Sequence, residues 1–502
     1  MNEKLSIRFC LDDWADQHPQ KIAVCTDGRS ITYGELHQKS SHFAAGLQKL
    51  GLKPQNRVML FMPVSIEFYI VFFAAAKLDL NIILIDPLFK TDELRQAFLK
   101  TEPDCVFVSN HANEQLVRAI NKAVPLIYAS LENETFSSVL HTAESISTFP
   151  KDLRKSCTII ATSGSTGKLK FVARSFINQL IPANLILKAL RITKDDIFLI
   201  PISLSHQTGV ACMLCGCIAG CTMFIPSRFK AETAISMIEN YHVTVQCGVP
   251  TMYIKEMNAY EAATRKPNLS SLRTGLVAGS VCPKELFTWF ESHADCRLLN
   301  CYGTSEIAIL TIVDYNDPVE ARHNTCGRVF REAEVDIWDN TGHPQPANTA
   351  GEIVCKTPCI MQGYLGDPEL TKETLNIEGH FFTGDVGSLD ENGYLTIRGR
   401  KKDMIIRSGY NIFPAEIESQ LLKCSGVMEA CVLGGKDPVL GEHISAFIKL
   451  NADSSSTQES IRQQLEQHIA KYKLPDHIII LDEIPKLPSG KYDYPKLSAM
   501  LN

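Results

Sequence analysis

The chain has 502 residues, 50 Lys and Arg against 56 Asp and Glu, and a formal net charge of −6; 45% of residues are hydrophobic and 21% charged. Ordinary globular usage, with only 29 Gly and 24 Pro, excludes a disordered or collagen-like chain. The mild negative balance argues against nucleic acid or an anionic membrane as the main partner, and the length suits about three domains or one large α/β body with an appendage.

In chain order, the first residues carry Asp12, Asp13 and Asp16 where a secretory signal needs an unbroken apolar core. Residues 32–50 read as a helix, 57–62 (RVMLFM) as a strand and 65–78 as a helix. The most apolar run, FYIVFFAAA at 68–76, stops at Lys77 and is about half the length of a membrane span. It reads as a helix buried beside a sheet, so no membrane span is expected. Strands follow at 81–85 and 105–108, and the rhythm returns at 196–200, 222–225, 243–246 and 273–277. This alternation predicts an α/β fold of parallel sheets covered by helices.

From Val335 the pattern turns to short strands with turn signals, as in GEIVCK (351–356), Asn392-Gly393 and YLTIRGR (394–400). A small antiparallel or barrel-like part is expected there. The charged stretch Arg400–Asp403 marks a boundary between a large domain, 1–399, and a mobile α+β domain, 400–502. Helices are expected near 414–424 and 460–471, and the closing LPSGKYDYPKL reads as a basic loop. No fixed-period repeat is visible, and the sequence specifies no oligomeric state.

Seventeen cysteines without a signal peptide suggest a reducing interior, with the cytoplasm as the expected location. Cys212, Cys215, Cys217 and Cys221 are spaced like metal ligands. Their neighbours Met213, Leu214, Ile218 and Ala219 are apolar and helical, so these thiols are expected to pack as small hydrophobes.

The strongest local feature is TIIATSGSTGKLK, 158–170. An apolar strand (157–161) runs into a loop of Thr162, Ser163, Gly164, Ser165, Thr166 and Gly167. Hydroxyls and unhindered backbone N–H groups in such a loop can wrap phosphate oxygens, with Lys170 as countercharge. The spacing is not that of a Walker A loop, because only two residues separate Gly164 from Gly167.

Here the sequence resembles the adenylate-forming enzymes, which include acyl-CoA synthetases, aryl-CoA ligases, amino-acid adenylation domains and firefly luciferase. Residues 159–170 are similar to that family's phosphate-loop signature. Further matches follow in the family's order: ISLSHQTG (202–209), VAGSV (277–281), NCYGTSE (300–306), FTGDVG (382–387), GRKKDMIIRSGYNIFPAEIE (399–418) and LPSGK (487–491). Departures are Phe171 and Phe176 where Gly and His are usual, Ser305 for Thr, and Arg407-Ser408 for Ser-Gly.

The resemblance implies ATP, Mg²⁺ and CoA as cosubstrates, and a role for each motif. Thr162 to Gly167 would cradle the departing pyrophosphate. Gly279, Ser280 and Val281 would form the adenine edge with Asn300, Tyr302 and Gly303, while Ser305 meets the α-phosphate and Glu306 holds Mg²⁺. Asp385 would accept the ribose hydroxyls, with Arg400 beside the nucleotide. Lys491 would bridge carboxylate and α-phosphate; Lys170 and His206 complete the catalytic set. After a swing of the small domain about Lys402, Gly409 would leave a tunnel for a pantetheine arm.

The implied reaction turns a carboxylic acid into an acyl-adenylate and passes the acyl group to CoA. No acid stands between Pro201 and Leu214 to pair an amino group, so a fatty or aryl acid is expected rather than an α-amino acid. The implied acyl pocket runs through 205–212, 247–250, 277–281 and 307–310. Two alternatives stay open: loading of a carrier protein's phosphopantetheine, and a catalytically inactive nucleotide-binding or luciferase-like member.

Overall fold

Parallel strands covered on both faces are written as unbroken apolar runs, and Arg57–Phe61 is one of them. In the computed structural model, which describes residues 9–155, 157–163, 169–280, 282–451, 454–486 and 492–501, it lies between Asn81–Leu84 and Cys105–Val108, parallel to both. Val58 and Leu60 face one apolar cluster while Met59 and Phe61 face another. That is the two-residue alternation of a strand with no solvent face.

The described residues divide into two compact units. One runs to Glu334 and includes Lys356–Phe381; the other comprises Val335–Cys355 and the chain from Phe382 on.

The first unit holds two sheets. One has seven strands, in the order Gly363–Tyr364, Leu169–Ser175, Cys157–Ser163, Asn81–Leu84, Arg57–Phe61, Cys105–Val108 and Leu126–Tyr128. The other has nine, with Arg297–Tyr302, Thr274–Val277, Val245–Gly248, Ile197–Leu199, Thr222–Phe224 and Ile22–Thr26 adjacent in that order. Helices Tyr33–Lys49, Ile66–Lys77, Phe176–Leu190 and Gln207–Ala219 share one core cluster with both sheets. Every residue of Ile66–Lys77 is buried, as the 68–76 run predicts. Three helices, Ala231–Tyr241, Pro250–Ala262 and Lys284–Ala294, cover the other face of the nine-stranded sheet. No helix among the described residues is long and apolar enough to cross a membrane.

The second unit holds a four-stranded sheet of Glu334–Trp338, Gly351–Lys356, Phe381–Leu389 and Leu395–Arg400, and a five-stranded sheet built on the long antiparallel pair Val427–Asp437 and Gly441–Leu450. The second compact unit thus contains both the short strands after Val335 and the C-terminal residues. Helices at Pro414–Leu421 and Gln458–Glu466 answer to the two expected in this region.

Two expectations are corrected. The strand before the phosphate loop extends through Ser163, because Thr162 and Ser163 pair with Lys170 and Leu169 on the returning strand. The closing segment is not all loop: Tyr494–Ala499 is a helix, started by Asp493, whose side chain accepts from Lys496 N–H, and by a proline in its first turn.

The cysteine cluster behaves as the sequence implies. Cys212, Cys215, Cys217 and Cys221 are buried in and just after Gln207–Ala219. Burial pushes the Cys221 thiol up to about 12. Among the described residues no three His, Cys, Asp or Glu side chains are grouped to hold a metal.

Candidate active site

Strands Cys157–Ser163 and Leu169–Ser175 form an antiparallel hairpin, and its connecting residues, with Gly164, Ser165, Thr166 and Gly167, lie outside the described residues. Leu169 N–H is held by Gln96 Oε1 at 3.1 Å. Along the second strand Phe171 and Ala173 enter the apolar cluster on one face, so Lys170, Val172 and Arg174 belong to the other. Lys170 Nζ lies 5.1 Å from the centre of the Tyr364 ring, within cation–π range. Tyr364 is placed there by the short strand Gly363–Tyr364, which pairs with Val172 and Ala173.

Tyr364 also reaches the second motif. Its hydroxyl donates to Glu306 Oε1 at 2.8 Å, so one phenol ties the phosphate-loop lysine to the carboxylate expected to hold Mg²⁺. The Glu306 main chain is fixed as well. Its carbonyl accepts from Met361 N–H at 2.7 Å and from Arg174 Nη1 at 3.0 Å, and its N–H donates to Thr304 Oγ1. Among the described residues no cation lies within salt-bridge distance of its carboxylate.

The loop that carries Ser305 and Glu306 leaves strand Arg297–Tyr302 through Gly303. A Cβ there would stand 1.7 Å from the Ala308 carbonyl oxygen, so only glycine fits. Tyr302 is buried, and Asn300 donates to the Thr325 carbonyl at 3.1 Å. In the adenine-edge segment Gly279 has φ +93° and Ser280 is exposed, while Val281 lies outside the described residues.

His206 precedes helix Gln207–Ala219 in an extended conformation and is half-buried. The next residue is locked: Gln207 and Gln179 exchange amide hydrogen bonds of 2.6 and 3.1 Å. The segments expected to line the acyl pocket converge, with Val210, Ala211, Cys212, Cys247, Ala278 and Ile309 in one apolar cluster. Phe171 and Phe176 are fully buried packing residues, Phe176 at 5.4 Å ring to ring from Phe9.

In the second unit, Asp385 and Arg400 are cross-strand partners in register, and Arg400 Nε lies 3.0 Å from Asp385 Oδ1. Asp385 is 5% exposed and Arg400 is at the surface. Lys402 is exposed, and neighbouring Lys401 pairs with Glu352 at 2.8 Å. Ser408 and Gly409, with φ +51° and +82°, form the two-residue turn between Ile405–Arg407 and Tyr410–Ile412, the handedness a tight hairpin requires. Arg407 is bound to Asp476 at 2.6 Å and to the carbonyls of Tyr472 and Leu474. Lys491 lies outside the described residues; Lys486 and Tyr492, on either side of its loop, form an antiparallel bridge.

Sequence reasoning missed Arg174, Tyr364 and Gln179. Arg174 carried one signal, a charge on an inward position of an otherwise apolar strand. Burial lowers its guanidinium to about 10.

Comparison with known proteins gives the family of the chain. Residues 11–365 match the family model "AMP-binding enzyme", and residues 416–491 the model "AMP-binding enzyme C-terminal domain". The chain is 30% identical to a 4-coumarate-CoA ligase of Narcissus pseudonarcissus, over 94% of this chain and 89% of that protein. It is 28% identical to the medium-chain fatty-acid–CoA ligase of Escherichia coli (strain K12), over 94% and 86%. Its fold is similar to that of ATP-bound MatB from Rhodopseudomonas palustris, with a TM-score of 0.88, 98% of each chain covered and 23% identity. The chain therefore belongs to the AMP-binding enzymes, the adenylate-forming superfamily whose acyl-CoA synthetase-like members are AMP-forming acid–thiol ligases.

Proposed function

We propose that the protein activates a fatty or aryl carboxylic acid with ATP, giving an acyl-adenylate and pyrophosphate, and then transfers the acyl group to the thiol of CoA with release of AMP. The observation that carries this reading is the linked set Lys170–Tyr364–Glu306 beside the phosphate-loop hairpin. A carboxylate attacking the α-phosphate meets charge repulsion, which cationic side chains and loop amides offset. Lys170 supplies one such cation, and Lys491 is proposed to supply another at the reacting carboxylate. The apolar cluster around Cys212, Cys247 and Ala278 suits an alkyl or aryl tail.

Mg²⁺ fits the donor set. It favours one or two carboxylates plus substrate phosphates over an all-protein cage, and Glu306 offers one carboxylate with no competing cation among the described residues. When bound, the ion would neutralise phosphate charge. Asp385, with Arg400 as its partner, is proposed as the ribose acceptor, and Asn300 and Tyr302 as part of the adenine shelf. We place the hinge for the second half-reaction at Arg400–Asp403, with the Ser408-Gly409 turn facing the pantetheine arm. The seventeen cysteines, most of them buried, support a reducing compartment such as the cytoplasm.

The test is pyrophosphate release with ATP, Mg²⁺ and a panel of fatty, aryl and amino acids, with and without CoA. Release confined to fatty or aryl acids, with thioester formed only when CoA is present, is the expected result. Adenylate formed without CoA thioester would instead indicate a carrier protein's phosphopantetheine as acceptor, and no turnover across the panel would overturn catalysis.

A further inference from the structure

Arg174 is fully buried, and its guanidinium reaches four main-chain carbonyls from three segments of the first unit. Nη1 donates to Ser305 O at 3.2 Å and to Glu306 O at 3.0 Å; Nη2 donates to Asn178 O at 2.8 Å and to Cys359 O at 2.6 Å. No carboxylate oxygen among the described residues lies within 4 Å of it, and its Nε has no partner. A buried cation with no carboxylate partner is costly, and a methionine would fill the same space but leave those carbonyls without this donor. Retaining a guanidinium here needs a reason beyond packing.

The neighbours supply one. Arg174 stands four residues beyond Lys170 on the same face of the same strand, with Val172 between them paired to Tyr364. On its other side it holds the main chain of Ser305 and Glu306. The strand carrying the phosphate lysine and the loop carrying the metal carboxylate are thus joined through one planar, multiply donating group. A lysine, a point charge on a flexible stem, cannot span four carbonyls in this way.

We propose that Arg174 is a positioning residue of the nucleotide site. Its guanidinium clamps the Ser305–Glu306 main chain to the strand that bears Lys170, and so sets the spacing between the Lys170 ammonium and the Glu306 carboxylate on which binding of Mg²⁺–ATP depends. The proposal rests on the reading of Glu306 as the Mg²⁺ ligand. It assigns Arg174 no contact with substrate.

The experiment titrates ATP into the full-length protein by calorimetry, without any carboxylic acid, once with Mg²⁺ and once with EDTA. The half-saturating Mg²⁺ concentration for pyrophosphate release is measured in parallel. Arg174→Met is expected to weaken Mg²⁺-dependent ATP binding about 30-fold or more and Arg174→Lys about tenfold, with little change in the EDTA arm, as loss of several charge-assisted hydrogen bonds implies. Should Arg174→Met fail to fold, Arg174→Lys, which keeps the cation and loses the fork, carries the test. Variants that melt lower but bind Mg²⁺–ATP within twofold of the wild type would make Arg174 a structural brace and overturn the proposal. Glu306→Gln separates the two readings. If it leaves the Mg²⁺ half-saturation unchanged, the metal assignment falls and the proposal with it. A shift in Glu306→Gln with none in the Arg174 variants would overturn the proposal alone.

Discussion

Two carboxylates proposed to serve the nucleotide are held in opposite ways. Glu306, in the first unit, has its main chain fixed by Arg174 and Met361 and one oxygen held by a neutral phenol. Asp385, in the second, is buried against a guanidinium at 3.0 Å. The first keeps its charge available to a hard cation; the second has its charge balanced before any ligand arrives. A carboxylate meant for a divalent ion loses affinity if a lysine or arginine sits on it, whereas one meant to accept two hydroxyls can keep a cationic neighbour and still be a stronger acceptor than a neutral amide. A third, Glu256, completes the contrast. It is buried, its two oxygens share one donor, Gln246 Nε2, at 2.7 and 2.9 Å, and burial raises it to about 8.

Glu306→Gln is expected to cause the largest loss, a fall in pyrophosphate release of about 10²–10³-fold, as for other removed electrostatic anchors. The fall should come with a lost dependence on Mg²⁺ concentration in steady-state kinetics; a normal Mg²⁺ curve would erase the distinction between the two carboxylates. Asp385→Asn should act mainly on affinity, raising KM for ATP about tenfold with a smaller change in kcat, because a neutral acceptor binds hydroxyls more weakly. Equal damage to kcat would mean that Asp385 does more than hold ribose. Tyr364→Phe removes the phenolic hydrogen bond to Glu306 and keeps the ring beside Lys170. A rise of about three- to tenfold in half-saturating Mg²⁺ is expected, within the range of one hydrogen bond to a charged group.

The smallest effect on activity belongs to Glu256→Gln, which should leave turnover unchanged and alter stability alone. The folded acid titrates near 8 against an ordinary 4.5. Between those values the unfolded chain has lost the proton and the folded chain keeps it. Stability from this group is therefore fully present below about pH 4.5, falls as pH rises to about 8, and is flat beyond, a span on the order of a few kcal/mol. Melting temperatures of the two proteins should agree near pH 4.5 and diverge by pH 8, with Glu256→Gln the more stable; parallel curves would mean that Glu256 is ionised in the folded state.

Much of this arrangement was legible in the sequence, for physical reasons that also set the limit. Strands Arg57–Phe61, Asn81–Leu84 and Cys105–Val108 were readable because burial on both faces demands apolar runs. Lys170, Glu306 and Asp385 were readable because their neighbours form motifs. Tyr364 was not, since it reaches Glu306 across 58 residues through pairing of a two-residue strand, and no local pattern encodes that. Arg174 was visible only as an anomaly, a charge in an apolar strand whose carbonyl partners are supplied by tertiary structure. The late helix Tyr494–Ala499 was masked by the lysine-rich motif before it, although Asp493 is an ordinary cap. The roles of Lys170, Glu306 and Asp385, like those of the 164–168 loop, Val281 and Lys491, stay proposals by resemblance.

The pairing of Ile22–Thr26 with Thr222–Phe224, through Val24–Met223 and Cys25–Phe224, has a consequence for biosynthesis. The earlier strand must wait for this parallel partner until some two hundred further residues have been made, which at ordinary elongation rates takes about 10–40 s. The helix Ile66–Lys77, buried on every side in the folded chain, is made early in that interval and has no complete burial partner until both sheets close. Such a nascent chain is a natural client for holding chaperones, and codon changes that slow translation between residues 80 and 220 should lower its soluble yield without touching the finished enzyme.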